Sequence, residues 1–203
     1  MKSLNWDRRV NMKNPLDILF ARYEHVCPWW CCFTFDNPIR KLFHNPMQLL
    51  GPYVHEGFTV IDIGPGMGYF TIPLCRLVGE SGKVIAVDIQ KQMLSRLTKR
   101  ADKAGVLPQL RTVLSTSKNL VIDEKADFIL TFWMVHEVPD QGKFLRDIKN
   151  LLKPQGQYLL VEPKIHVSER AFERTIEEAV KTGLRKKERP SIALSRAMLF
   201  VSA

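Results

Sequence analysis

The run Val60-Ile61-Asp62-Ile63-Gly64-Pro65-Gly66-Met67-Gly68 constrains this chain more than any other segment. An apolar stretch carrying one acid ends in three glycines at alternate positions. β-branched residues at 60, 61 and 63 favour a strand. Glycine then permits a tight turn and lets a ligand approach the backbone, because no Cβ intrudes. Helical spacing follows over Tyr69–Val78, so the local order is strand, turn, helix. A dinucleotide fingerprint, G-x-G-x-x-G, would need glycine at 69, where the chain has Tyr69. No phosphate-binding lysine follows the glycines either. A ligand with a ribose but no pyrophosphate fits this pattern. Asp88 supports it: the acid ends the next apolar run, Val84–Val87, 24 residues after Gly64. A carboxylate there is positioned to accept hydrogen bonds from both hydroxyls of a ribose.

The rest of the chain repeats the strand-and-helix alternation. Strands are predicted at Thr59–Ile63, Val84–Val87, Leu110–Leu114, Asp127–Phe132 and Gln157–Val161. Helices are predicted at Tyr69–Val78, Lys91–Lys103, Gly142–Leu152 and Ser168–Thr182. Short apolar strands between amphipathic helices imply a parallel sheet covered on both faces. The last pair, Leu184–Lys187 and Ala197–Val201, is joined by a link too short for a helical crossover, which predicts an antiparallel hairpin. The expected fold is therefore α/β, a Rossmann-like doubly wound and mostly parallel seven-stranded sheet closed by that hairpin. At 203 residues there is room for one such domain. Residues 56–203 form it, and residues 1–55 read as a helical lid. Asn14-Pro15, Asn37-Pro38 and Asn45-Pro46 each set a capping residue before a proline suited to the first helical position.

Taken together, these residues resemble motif I and its acidic follower in class I S-adenosylmethionine methyltransferases. The likeness is greatest to the small-molecule branch that includes ubiquinone/menaquinone-biosynthesis-type enzymes. It extends from about Phe58 to the C-terminus. It includes the His-containing segment Phe132-Trp133-Met134-Val135-His136-Glu137-Val138-Pro139-Asp140 and the turn Leu152-Lys153-Pro154-Gln155-Gly156 that opens the fifth strand. The resemblance implies S-adenosylmethionine as cofactor, with S-adenosylhomocysteine as product. It implies that Asp62 and Gly64 meet the methionine portion, that Pro65, Gly66 and Gly68 shape the turn beneath it, and that Asp88 holds the ribose. Ile89 would wall the adenine, with Thr116, Ser117 and Phe132 completing the cofactor set. The family usually places an acid after the third strand; here Thr116 stands in that place, leaving a hydroxyl or a backbone carbonyl to meet the adenine amino group.

For chemistry, His136 and Glu137 are the candidate catalytic residues. A histidine there can take a proton from a hydroxyl or thiol, with Glu137 or Asp140 orienting it. The alternative is that His136 caps its loop or contacts the cofactor. His166 could line the pocket mouth or be structural. Trp29, Trp30 and Trp133 are expected to line an apolar substrate pocket. The family tetrapeptide for exocyclic amines, Asn-Pro-Pro-Tyr, is absent, which disfavours adenine or glutamine as acceptor.

Cys27, Cys31 and Cys32 cluster within Cys27-Pro28-Trp29-Trp30-Cys31-Cys32-Phe33. They could pack the lid, hold a metal with His25 or His44 as fourth ligand, or act as reactive thiols. The spacing matches no standard zinc motif, so no metal is assigned. Arsenite methyltransferases hold arsenic through thiols, but they carry cysteines beyond the fourth strand and this chain has none after Cys75. Cys75, beside Leu74 and Leu77, reads as core.

The net charge of +9 invites a nucleic-acid reading, yet it is spread as +3 over residues 1–55, +2 over 56–162 and +4 over 163–203. The expected acceptor is a small apolar or aromatic metabolite, or a thiol or metalloid. RNA methylation and a non-catalytic cofactor- or metal-binding protein are the alternatives. No apolar run nears the ~20 residues of a membrane span. No signal peptide is visible at the start, so a cytoplasmic protein is expected. Nothing in the sequence fixes the oligomeric state.

Overall fold

The computed structural model describes residues 44–116, 120 and 122–203. Seven strands form one sheet in the order β3-β2-β1-β4-β5-β7-β6. They are β1 (Thr59–Ile63), β2 (Lys83–Asp88), β3 (Leu110–Leu114), β4 (Ala126–Phe132), β5 (Leu152–Pro163), β6 (Leu184–Glu188) and β7 (Ser195–Ser202). The first five pair in parallel. β7 runs antiparallel between β5 and β6, the expected closing hairpin. Helices α1 (Pro46–Leu50), α2 (Thr71–Val78), α3 (Lys91–Lys103), α4 (Gln141–Leu151) and α5 (Glu169–Lys181) cover the faces.

Alternation along the strands divides the core in two, since successive side chains point to opposite faces. Ile61, Ile63, Ile85 and Val87 pack beneath Phe144, Leu145 and Ile148 of α4 and Phe172 and Ile176 of α5. Val60, Val84, Phe128 and Leu130 face the other way, onto Leu50 of α1 and Leu74, Cys75 and Val78 of α2. Cys75 is thus a core residue, its thiol pushed up to about 12 by burial first of all. Leu50 and Val54 are buried in this same core, so the sequence just before β1 is packed with the sheet. Asn45 caps α1 as the Asn-Pro pattern implies, its side chain accepting from the N–H groups of Met47 and Gln48. The other two Asn-Pro pairs lie outside the described residues.

Two strands depart from expectation. β5 starts at Leu152, five residues early. Pairing with β4 jumps from Ala126↔Leu152 to Phe128↔Gln157, and the Lys153–Gly156 turn is accommodated in that irregularity. A Cβ on Gly156 would lie 2.9 Å from the carbonyl oxygens of Ala126 and Lys153, so only glycine fits there. β3 is half exposed because it is an edge strand. The basic run Arg185–Lys187 lies on β6, the opposite edge. Lysine and arginine on an edge strand oppose pairing with another chain. Helix α2 begins at Thr71, two residues late, because Tyr69 and Phe70 complete the glycine turn. No described helix is long and apolar enough to cross a membrane.

Candidate active site

Strand order reverses between β1 and β4, which opens a crevice at the carboxyl ends of these strands. The three glycines sit at its floor with φ of 73°, 56° and 90° for Gly64, Gly66 and Gly68. L side chains rarely adopt such angles. The turn is closed by Gly68 N–H donating to the Pro65 carbonyl at 3.0 Å, and Gly64 N–H is anchored on Val87 O at 2.9 Å. The glycines differ in what surrounds them. A Cβ on Gly68 would lie 2.4 Å from Leu97 Cδ1, so this glycine lets α3 pack against the turn. A Cβ on Gly64 would meet Met134 Cγ at 3.0 Å. Around Gly66, among the described residues and its chain neighbours apart, no heavy atom lies within 4 Å of that position. No described side chain fills the space above Gly66.

Two carboxylates stand on the adjoining strands β1 and β2. Asp62 is buried on β1 and accepts from Thr71 Oγ1 at 2.6 Å. Burial pushes its carboxyl up to about 7; the Thr71 bond opposes this and the nearby Asp88 adds to it. Asp88, at the end of β2, accepts the Gln90 N–H at 2.8 Å on Oδ1, and the nearby backbone N–H groups of Ile89 and Gly66 also favour its charged form. Burial still outweighs them and raises it to about 6. Two acids held above their ordinary range are ready to gain from a cationic or hydroxyl-bearing partner. Ile89 follows, 40 % exposed, an apolar side chain left open at the rim.

The third wall is the exit of β4. Phe132 is buried, its ring 4.3 Å from Phe70 and 5.3 Å from His44 between centroids. Trp133 turns out of the strand with φ of 62°, and its indole N–H donates to Ser195 Oγ at 2.9 Å. Ser195 Oγ donates in turn to Ala193 O, which His44 Nε2 also meets at 2.7 Å. Neither His44 nor Ser195 stood out in the sequence as part of this rim.

His136 follows on a short 3-10 turn, Val135–Glu137. Its Nδ1 lies 2.5 Å from Glu162 Oε2. Glu162, 2 % exposed near the end of β5, also accepts from Val135 N–H at 2.8 Å. The carboxylate bonded to His136 Nδ1 is therefore Glu162, where Glu137 or Asp140 was expected; Asp140 instead caps α4 by accepting from Lys143 N–H. Glu137 lies close enough to raise Asp88 further. The His166 ring stacks on that of His136, centroids 6.0 Å apart and 14° from parallel. Both histidines and Glu162 line a cleft of about 630 Å³ that runs along α5.

Thr116 is exposed after β3, beyond Ser115, whose N–H donates to Asp88 O at 2.9 Å. Ser117, Trp29, Trp30, His25, Cys27, Cys31 and Cys32 lie outside the described residues. Among the described residues, no three His, Cys, Asp or Glu side chains are grouped to hold a metal.

The family described as "Methyltransferase domain" matches residues 54–192, more than half of the chain. The chain belongs to that methyltransferase family. The methyltransferase is 34% identical over 110 residues to the ubiquinone/menaquinone biosynthesis C-methyltransferase UbiE of Escherichia coli O1:K1; the match covers 54% of this chain and 44% of that protein. The chain thus spans less than half the length of the curated relatives it matches. Among solved structures it resembles a SAM-dependent methyltransferase from Aquifex aeolicus, with a TM-score of 0.78 and 23% identity over 88% of this chain and all of that one. A putative rRNA-methylase from Clostridium thermocellum shares the fold at a TM-score of 0.58 and 17% identity, covering 78% of this methyltransferase and 96% of that chain. One fold thus serves different acceptors.

Proposed function

We propose that this methyltransferase transfers the methyl group of S-adenosylmethionine to a small apolar or aromatic metabolite at the carboxyl-end rim of its sheet. One observation carries the reading: a space over Gly66 that no described side chain fills, with the raised carboxyls of Asp62 and Asp88 on the two adjoining strands. When bound, the cofactor supplies an electrophilic methyl on a sulfonium, which is the hard part of the chemistry.

The residues of the chain bind, align and exclude water. Asp62 pairs with the cationic amino group of the methionine portion, which offsets the cost of its own burial. Asp88 accepts the ribose hydroxyls, and Ile89 covers the adenine. Gly64 and Pro65 offer backbone to the ligand, Thr116 meets the adenine edge, and Phe132 closes the floor through its ring cluster. Trp133 and His166 flank the acceptor. His136 takes the acceptor's proton, with Glu137 beside it. His44 is pinned at the rim between Phe132 and Trp133.

The small-molecule class draws on the UbiE relative and on charge being spread along the chain. The test incubates the full chain with methyl-labelled S-adenosylmethionine and a cell extract, then separates metabolites from RNA. Label in the low-molecular-weight organic fraction is expected. Label confined to RNA would overturn the acceptor class, and no label in any fraction would overturn transfer.

A further inference from the structure

We infer that Glu162 is a positioning residue that holds His136 as its Nδ1–H tautomer, so that Nε2 accepts the proton, and that the methyl acceptor therefore carries an ionisable hydroxyl or thiol. This deepens the proposed function and rests on its placing His136 at the acceptor. Glu162 engages both oxygens: Oε1 accepts Val135 N–H at 2.8 Å, and Oε2 meets His136 Nδ1 at 2.5 Å. An ionised carboxylate only accepts, so the ring must present a proton at Nδ1. The partner of one ring nitrogen sets the role of the other. Because Glu162 is almost wholly buried on a central strand, it fixes the ring's direction as well as its tautomer. The backbone contact to Val135 makes the same carboxylate set the turn on which the ring is carried.

Among the described residues, Tyr158 on β5 interacts electrostatically with Glu162, and further charged and titratable groups face the pair. His166 stacks on the ring from the β5–α5 loop, and α5 contributes Arg174, Glu177, Glu178 and Lys181 to the cleft; Lys181 is paired with Glu178 at 2.7 Å. In the step proposed, His136 Nε2 takes the O–H or S–H proton. The electron pair left on that heteroatom, or on a ring carbon conjugated with it, forms the bond to the methyl carbon. The carbon–sulfonium bond breaks, and its pair stays on sulfur. His136 then returns its proton to water; for a carbon acceptor, the ring proton is lost to water afterwards.

The test is long-range proton–nitrogen NMR of the histidine rings in ¹⁵N-labelled full chain, wild type against Glu162→Gln, with His136→Asn to assign the ring. Calorimetry with S-adenosylmethionine is run on the same samples. In wild type at neutral pH, His136 is expected to carry its proton on Nδ1. A glutamine has one acceptor for two donors; keeping Val135 N–H turns its amide –NH₂ toward Nδ1. The ring should then switch to Nε2–H and titrate at lower pH, while cofactor affinity stays within about twofold. An Nε2–H ring in wild type, or an unchanged ring in Glu162→Gln, would overturn the positioning role. Should that variant fail to fold, the wild-type tautomer decides alone. A labelled product whose acceptor had no dissociable hydroxyl or thiol would overturn the acceptor class. Loss of cofactor binding by the wild type itself would count against the proposed function while leaving the His136–Glu162 pairing to be judged by its spectrum.

Discussion

The Gly66 backbone N–H lies near enough to the Asp88 carboxylate to favour its charged form, which relates the turn after β1 to the end of β2. The proximity sets the floor of the crevice against the acid expected to hold a ribose, and it separates two kinds of glycine in one turn. At Gly66 the added methyl of alanine has open space, so Gly66→Ala should cost only the strain of a positive φ, about 1–2 kcal/mol. It should weaken S-adenosylmethionine, whose place the methyl takes. At Gly68 the methyl runs into Leu97 in the core, so Gly68→Ala should lose more stability, roughly 2–4 kcal/mol. Denaturant unfolding of both variants, with cofactor titration of each, checks the contrast.

The raised acids predict a pH dependence of definite sign. Asp62 and Asp88 titrate at about 7 and about 6 when folded, against 3.8 for an unperturbed aspartate. Between those values the folded state holds more protons than the unfolded chain. The contribution of these groups to stability is therefore greatest in acid and falls as pH rises toward 7. Asp62→Asn removes the larger share, so the melting temperature of the variant should gain on wild type as pH rises from about 4 to about 7. Cofactor affinity should move the other way in wild type, strengthening over the same window as Asp62 ionises to meet a cation. Parallel melting curves for the two proteins would refute the burial account of Asp62.

Trp133 joins the exit of β4 to the β6–β7 connection through Ser195. Trp133→Phe keeps an aromatic ring in the Phe132 cluster but leaves Ser195 without that donor. The loss of one hydrogen bond is worth about 1 kcal/mol, a melting shift of about 2–4 °C at this size. Differential scanning calorimetry reads it directly.

The sheet was legible because its signals are local. β1, β3 and α3 have the bounds expected from apolar runs and helical spacing, and the hairpin followed from a short connection. Asp62 and Asp88 were visible as acids ending apolar strands. Glu162 carries the same mark, at the end of Gln157-Tyr158-Leu159-Leu160-Val161, yet it was passed over because its partner lies 26 residues away across two strands. A bond between β4's exit and β5's end leaves no periodic trace. The same holds for Trp133–Ser195, separated by 62 residues. Glu137 and Asp140 were the nearer carboxylates in sequence, but Asp140 stands directly before a helix and caps it, and that local bond prevails.

The hollow over Gly66 as a nucleoside site is the claim on which the rest depends, and Asp88 is its most direct probe. Isothermal titration of S-adenosylmethionine into wild type and Asp88→Ala measures it. Losing hydrogen bonds to a charged acceptor should weaken binding by about 1.5–3 kcal/mol, more than tenfold. Equal affinity in the two proteins would place the cofactor elsewhere and contradict the account.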